Sequence, residues 1–524
     1  MSQKQILSPE QDKAANPSEN VWVQANAGTG KTSVLVQRLM RILFRAGGDA
    51  GILCLTYTNA AAGEMRNRIL KMLRRWAMAS DKELADMLIG ITSNTKPTGD
   101  DLAHARDIFF KYIDNPEILK IKTIHGFCEE ILRRFPIEAG INPTWALISG
   151  PNQKILLQET FDRLIKTSTQ DAAVSNAFAR IIERISEYSL PELLDKLTGQ
   201  YKVFFQVDDI VKYRKYFIDT IKDFLNLNTP INLDIDHKKL EKIIELAQEE
   251  IKSSKKPAQY LINIVNTTRQ YIDTNDNFTE YQQLYLKKDC GKIKKISEKE
   301  YLCEEQERVY SIVQRRINQE IFDDTVAMFD LAAAFANSYK TLKQSHNVLD
   351  FDDLILYTQK LFSRPDTMGW VLSQLDLSLN HILVDEAQDT SPQQWSILRM
   401  MAGDFFADGD TVDNPHSIFV VGDTKQSIYG FQGADPNAFA SSRDEIKSQI
   451  SNNLRTICEI PLAQSFRSTK PILDTVDKFF ENPEIATLAN FHNNTHKCFR
   501  IDAPGLVEIH PLVSKKESEC DIKQ

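Results

Sequence analysis

The chain has 524 residues, 42% hydrophobic and 26% charged, with 63 basic against 72 acidic side chains and a net charge of −9. That length suits roughly two to four domains with buried cores, and the acidic balance excludes a uniformly basic nucleic-acid coat, so such a partner needs local basic patches. No apolar run of about 18 residues occurs, no leader-like segment precedes Pro9, Glu10 and Asp12, and Cys54, Cys128, Cys290, Cys303, Cys458, Cys498 and Cys520 lack metal or disulfide spacing, so a soluble cytoplasmic protein with no membrane partner is expected.

Ser8, Pro9 and Gln11 read as a capped helix start. Gln11 either closes that cap or, lying just upstream of the next motif, offers an adenine edge an amide that both donates and accepts. Val21, Trp22 and Val23 then form a short apolar strand that breaks into Ala25, Asn26, Ala27, Gly28, Thr29, Gly30, Lys31 and Thr32, and Ser33 to Leu43 continues as an amphipathic helix. This is strand, phosphate loop, helix. Such a loop aims backbone N–H groups at the β- and γ-phosphates of a nucleotide such as ATP, with Lys31 as a point charge and the Thr32 hydroxyl as a Mg²⁺ ligand. Ala25 stands where the G-x-x-x-x-G-K-[ST] pattern usually opens on Gly.

Residues 51–58 form a second buried strand that runs into Asn59 and a small-residue helix. Tyr57 falls at its C-terminal end, where open α/β sheets keep ligands, as a base-stacking or an ordinary packing residue. After a helical excursion over about 70–117 comes Ile121 to Cys128, a third strand turning into a helix. His125 at that turn is either a hydrogen-bonded turn residue or, with Lys122, Arg133 and Arg134, a phosphate-backbone contact.

From 151 to about 345 the pattern is helical, with 3.6-residue periods over Ile155–Ile165, Leu240–Ile251, Val309–Ile321 and Val326–Leu342. The basic run Lys287, Lys288, Lys292, Lys294, Lys295 and Lys299 is a solvated face or a DNA-tracking surface. The α/β pattern returns near Asp350, and His381–Val384 is an apolar strand ending in Asp385 and Glu386, suited to hold Mg²⁺ and to polarise the water that attacks the γ-phosphate. Ser417–Asp423 adds a strand opening into Gln426, placed to sense the γ-phosphate, and into Tyr429 and Phe431, which alternate with small or polar residues as a stacking platform would. Residues 437–460 read as helix and connector. Arg467 begins a further unit from which it can stabilise charge at the γ-phosphate, and Gly505–Leu512 reads as a strand. The domain expectation is therefore an α/β lobe built from 1–150 and 346–460, an inserted helical domain at 151–345, and an incomplete second lobe at 461–524.

Gln11, Ala25–Thr32, Thr56–Asn59, Thr123–Phe127, Val384–Asp389, Val421–Ala434 and Gln464–Ser468, in that order, resemble the motifs of superfamily-one UvrD/Rep-type DNA helicases. The Ala-Gly-Thr-Gly-Lys-Thr loop, the block from His125 to Pro136 and the block from Asp385 to Trp395 look most like the AddA branch, the helicase–nuclease subunits related to RecB. The resemblance implies a RecA-like phosphate-loop lobe with a parallel sheet, a large helical insertion and the start of a second RecA-like lobe. It implies ATP and Mg²⁺ as cofactors, single-stranded and duplex-end DNA as substrate, translocation from 3′ to 5′, and an AddB-type partner subunit. Gln11 becomes the adenine reader; Lys31 and Thr32 bind phosphate and Mg²⁺; Asp385 and Glu386 are Mg²⁺ ligand and catalytic base. Gln426 and Arg467 sense the γ-phosphate, Phe466 stacks on adenine, and Tyr57, Asn59, His125, Tyr429 and Phe431 line the single-strand track. Gln432 stands where many members carry Arg. The family's later motifs and a nuclease domain are expected beyond residue 524, which leaves a non-catalytic ATP- and DNA-binding module as the alternative function. A phosphate-loop kinase or GTPase is the poorer reading, because no Asn-Lys-x-Asp guanine reader occurs and a small-molecule kinase would not need the long helical insertion or the alternating aromatics.

Overall fold

Short apolar runs with no room for a helix become strands. The computed structural model describes residues 7–511 except 48–50, 93–95, 169, 185–188, 230–235, 255–257, 275–277, 375–378, 408–415, 429, 431–432, 452–454 and 489–495. Its strands are β1 (Asn20–Ala25), β2 (Ile52–Thr56), β3 (Leu119–Thr123), the two-residue β4 (Ala146–Leu147) and β5 (Val348–Leu349), β6 (His381–Val384), β7 (Ser417–Gly422), β8 (Ile457–Leu462), β9 (Gln464–Thr469) and β10 (Lys497–Arg500). Six of them form one sheet in the order β3-β2-β6-β7-β1-β8, every neighbouring pair parallel. Chain contacts divide the protein into two units, Met1–Leu147 with Leu349–Gln524, and Ile148–Val348.

In the first unit the sheet explains the helices. Parallel strands need right-handed crossovers, so steps to the left and to the right along the sheet place their helices on opposite faces. The leftward steps from β1 through β2 to β3 carry α2 (Lys31–Ala46), α3 (Asn59–Met78), α4 (Asp81–Leu88) and α5 (Gly99–Asp114), and α2, α3 and α5 pack on one another. The rightward steps carry α6 (Ile124–Arg134), α16 (Phe351–Phe362), α17 (Pro365–Gln374), α18 (Pro392–Ala407) and α19 (Pro436–Ser451), with α16 packed on α6 and α18, and α18 on α19. The period-two alternation of β1 serves both layers. Val21 and Val23 join the core with Val34, Leu39 and Met65, while Trp22 stacks on Trp395 at 5.6 Å and meets Phe439 at 4.8 Å. All strand C-termini of the six-stranded sheet therefore share one edge, where the phosphate loop follows β1, Tyr57 follows β2, Asp385 follows β6 and Asp423 follows β7.

Two expectations are corrected. The connector expected at 437–460 ends in β8, which pairs with β1 along its whole length, Asn20 with Ile457 to Ala25 with Leu462. Its burial is broken by exposed Glu459 and Pro461, a sequence that hides a strand and is tolerated because β8 is the sheet's outer strand. Residues 505–511 are not a strand; β10 forms earlier, beside β9, and α20 (Lys470–Phe479) packs on both, with α21 (Pro483–Leu488) following it.

The second unit is helical: α7 (Gly150–Ser168), α8 (Ala172–Arg184), α9 (Leu190–Phe205), α10 (Ile210–Phe224), α11 (His237–Ser253), α12 (Gln259–Thr274), α13 (Phe278–Tyr285), α14 (Lys294–Ser297) and the 47-residue α15 (Glu300–His346). The two periodic segments expected after residue 309 are parts of this one helix. Its C-terminal half packs α7, α8 and α9, and its N-terminal half closes a core with α11–α13 around Leu240, Ile264, Tyr281 and Val309. Lys292 and Lys299 of the basic run are paired with Glu307 and Glu250, leaving Lys287, Lys288, Lys294 and Lys295 exposed. Among the described residues no helix is long and apolar enough to cross a membrane, and no cysteine pair forms a disulfide.

Candidate active site

The phosphate loop takes its shape from two glycines and one side chain. Gly28 (φ +76°) and Gly30 (φ +82°) occupy the left-handed region, and a Cβ on Gly30 would come within 3.1 Å of Gln11 Nε2. Ala25 is the last residue of β1 and 3% exposed, so its methyl belongs to the core, which is why Gly is not needed there. Gln11 works from α1 (Pro9–Ala14): its Oε1 accepts the Ser8 N–H at 3.0 Å, and its Nε2 donates to the Thr29 carbonyl at 2.9 Å. Thr29 ties the loop further by donating its hydroxyl to the Asn26 carbonyl at 2.8 Å. Lys31, Thr32 and Ser33 form the first turn of α2, so Lys31 starts the helix and points across to β6.

There its Nζ lies 2.9 Å from Glu386 Oε2. Glu386 has a left-handed backbone (φ +47°), an outlier for a side chain of this kind and a form of strain that collects at functional sites. Burial, and after it the neighbouring Glu386 charge, pushes the carboxyls of Asp385 and Asp389 up to about 6. Gln388 knits this corner together, donating to Glu386 Oε2 at 2.8 Å and Asp389 Oδ2 at 3.1 Å while its Oε1 accepts the Asp423 N–H at 2.8 Å. Gln426, in the turn after β7, donates to Asp423 Oδ2 at 2.5 Å, and Lys425 reaches back to the phosphate loop at Asn26 Oδ1, 2.9 Å away. The expected set Lys31, Asp385, Glu386 and Gln426 is thus gathered at the ends of β1, β6 and β7. Gln388 and Lys425 were missed, since an amide or a lysine beside a motif has no signature until its partners are known.

The β8–β9 strap closes the loop's other side. Phe466 donates its backbone N–H to the Gly28 carbonyl at 2.9 Å, and a Cβ on Gly28 would stand 2.5 Å from Arg467 Cβ, so Gly is required at this approach. Arg467 is exposed beside the loop, whereas the Phe466 ring packs on Phe499 with centroids 4.9 Å apart. A cavity of about 300 Å³ opens next to Thr29, between the start of α1 and Pro461–Gln464.

The chemistry of the donor set fits a nucleotide with a divalent cation. Two buried carboxyls held near pH 6 beside Glu386 are negative charge short of compensation. Mg²⁺ takes one or two carboxylates and completes its shell with phosphates and water, and Thr32 and Asp385 are the residues that would hold it.

The UvrD/REP helicase N-terminal domain matches residues 7–447. The chain belongs to the UvrD/REP helicase family. It is similar to the A subunit of the ATP-dependent helicase/nuclease of Listeria welshimeri, 28% identical over 96% of this chain and 42% of that protein. The proteins of the same name from Enterococcus faecalis (27%, over 88% of this chain and 37% of the relative) and Lactobacillus acidophilus (25%, over 91% and 40%) are similar too. The chain spans about two fifths of the length of these curated relatives, 37–42%.

The family's helicase reading directs attention to the rest of the strand edge. Tyr57 follows β2, Asn59 is the exposed first residue of α3, and half-buried His125 is the second residue of α6. These sit at β2 and β3, so that His125 is four strand steps or roughly 19 Å from β1. Phe351, 45% exposed at the start of α16, meets His125 edge to face at 5.5 Å and was not singled out from sequence, where it reads as one more helix residue. Tyr429, Phe431 and Gln432 lie outside the described residues. The cations expected beside His125 have protein partners: Lys122 with Glu130 at 2.8 Å, Arg133 with Glu129 at 2.7 Å and over the Trp145 ring, and Arg134 with the Gln374 carbonyl.

Proposed function

We propose that this chain is the ATP-binding motor portion of a cytoplasmic DNA helicase in a double-strand-break repair helicase–nuclease, working with an AddB-type partner subunit on single-stranded and duplex-end DNA. The observation that supports this best is the Lys31–Glu386 pair at 2.9 Å, with Arg467 against the same loop at Gly28 and Gln426 on Asp423 at the end of β7. Lys31 charge goes to Glu386 in this state. When phosphate takes Lys31, Glu386 is released to accept the proton of the attacking water, so binding arms the base. Mg²⁺ held by Thr32 and Asp385 would supply charge neutralisation at the β- and γ-phosphates. Gln426 must leave Asp423 to reach the γ-phosphate, and Asp423 is joined through Gln388 to Glu386, so sensing and base share one hydrogen-bonded frame. Tyr57, Asn59, His125 and Phe351 form a track for unstacked bases and the helix N-termini of α3 and α6 favour backbone phosphates, a division of one edge between ATP and DNA. Translocation from 3′ to 5′ is part of this proposal on the family resemblance.

The test is Lys31→Ala. It should weaken binding of Mg²⁺-ATP to this chain by about 10–100-fold, the scale of a charge-assisted phosphate contact, and leave affinity for a single-stranded oligonucleotide unchanged. Wild-type ATP affinity in the variant would remove Lys31 from the site. ATP and oligonucleotide binding without any DNA-stimulated turnover would instead favour the non-catalytic module for these 524 residues.

A further inference from the structure

Three pieces of the first unit meet on one residue of the phosphate loop. Asn26, 6% exposed and flanked by Ala25 and Ala27, donates its backbone N–H to the Leu462 carbonyl at 3.3 Å and accepts the Thr29 hydroxyl on its own carbonyl at 2.8 Å. Its side chain takes a third partner, accepting the Lys425 ammonium on Oδ1 at 2.9 Å. Lys425 belongs to a turn that is fixed from within. The Asp423 carboxylate accepts the Lys425 N–H on Oδ1 at 3.2 Å and the Gln426 amide on Oδ2, and the Gln426 N–H donates to the Asp423 carbonyl at 2.9 Å. Lys425 and Gln426 therefore form one piece, and the Lys425 side chain ties that piece to the loop. Because β1 and β7 are neighbours in the sheet, the four-carbon stem of a lysine spans the gap between their ends. The tie carries charge. Burial pulls the Lys425 ammonium down from the ordinary lysine value, and the carboxylates of Asp423 and of Asp477 on α20 oppose that pull. A hydrogen bond with an ionised donor is about twice as strong as a neutral one, so the loop and the turn are firmly joined.

We propose that Lys425 is a positioning residue of the ATP site, holding the Gln426 turn at the phosphate loop through Asn26 so that the site distinguishes a triphosphate from a diphosphate. This rests on the ATP site proposed above, with Gln426 as its γ-phosphate sensor. To reach the γ-phosphate, Gln426 gives up Asp423 Oδ2, which loosens the turn when its position matters most. Lys425 keeps two anchors through that step, its N–H on Asp423 Oδ1 and its ammonium on Asn26. The Gln426 amide then has side-chain rotations to lose on binding, not the freedom of a whole turn. ADP offers Gln426 no γ-phosphate, so it gains nothing from the tie.

The test is equilibrium binding of Mg²⁺-ATP and Mg²⁺-ADP to the 524-residue chain and to its Lys425→Met, Lys425→Arg, Asn26→Ala and Gln426→Ala variants. Lys425→Met keeps most of the stem and removes the donor; it should lose about 10-fold in ATP affinity, the scale of one charge-assisted hydrogen bond, and under about 2-fold in ADP affinity. Lys425→Arg still donates to Asn26 and should recover most of the loss. Asn26→Ala should reach the same ATP-to-ADP ratio as Lys425→Met, and the two combined should lower the ratio no further, because both remove one bond. In a Gln426→Ala background Lys425→Met should leave the ratio where it is. A variant with wild-type ADP affinity is folded at the site, and if Lys425→Met does not fold, Asn26→Ala breaks the same bond from the loop side. An unchanged ratio in Lys425→Met, additive effects of Lys425→Met and Asn26→Ala, or a full Lys425→Met effect without Gln426 would overturn the assignment, as would a wild-type chain that binds ATP no better than ADP. A wild-type chain that binds neither nucleotide would instead overturn the ATP site itself.

Discussion

At the N-terminal edge of the sheet the fully buried Arg38 donates to the carbonyls of Ala14, Asn16 and Glu19 and to Ser417 Oγ at 2.6–3.1 Å, and Ser417 Oγ lies 2.8 Å from His381 Nδ1. At the C-terminal edge Lys31 meets Glu386, which crowds Asp385, and Asp389 Oδ1 is buried with no hydrogen-bond partner among the described residues. Both edges bury charge. The first surrounds one cation with neutral oxygens supplied by Ala14, Asn16, Glu19 and the start of β7, and although Arg38 Nε has no partner among the described residues these four bonds act as a clasp. The second sets like charges side by side on a left-handed Glu386, an arrangement that a phosphate and a divalent cation would relieve. Stability is concentrated at one end of the strands and ligand-dependent tension at the other.

The largest break in that contrast should come from Arg38→Ala, which strands three carbonyls and the Ser417 hydroxyl around a cavity. A loss of about 4 kcal/mol in urea unfolding is expected, with ATP affinity of the folded fraction kept. A loss under about 1 kcal/mol would mean that water replaces the clasp. His381 sharpens the point through pH. Burial first, and then Arg38, push its imidazole down from 6.5 to about 3, so the folded protein refuses a proton that the unfolded chain accepts. Stability from this group is whole above about pH 6.5 and is lost as pH falls toward 3. Relative to His381→Gln, wild type should therefore lose about 3 kcal/mol between pH 7 and pH 4. A difference independent of pH would show that His381 takes up its proton while folded.

These two edges were not equally legible in the sequence. Lys31, Asp385 and Glu386 announce themselves because phosphate chemistry needs particular residues at particular places after a strand, and the fold brings the three together at one strand edge. Arg38 and His381 carry no such pattern. Arg38 looks like a surface residue of an amphipathic helix, and only the fold of the loop before β1 around it makes it buried. The same limit hid Gln388, Lys425 and Phe351, whose roles depend on partners 35 or more residues away, and it hid β8, whose Pro461 and Glu459 are explained by its outer position in the sheet. Local chemistry is written along the chain; closure of loops on distant strands is not.

The smallest expected effect tests the tension at the C-terminal edge directly. Burial and Glu386 raise the Asp385 carboxyl from 3.8 to about 6, so between those values the folded protein holds a proton that the unfolded chain has released. The stability this represents is complete below about pH 4 and is lost as pH rises through 6, the opposite sense to His381. Asparagine has no charge to bury. Asp385→Asn should therefore be more stable than wild type by about 2 kcal/mol at pH 8, with the gap closing by pH 4, and should gain less thermal stability from Mg²⁺-ATP than wild type does. A gap that stays flat from pH 4 to pH 8 would show that the Asp385 charge is compensated without any ligand, and the tension assigned to this edge would then have to come from the Glu386 backbone alone.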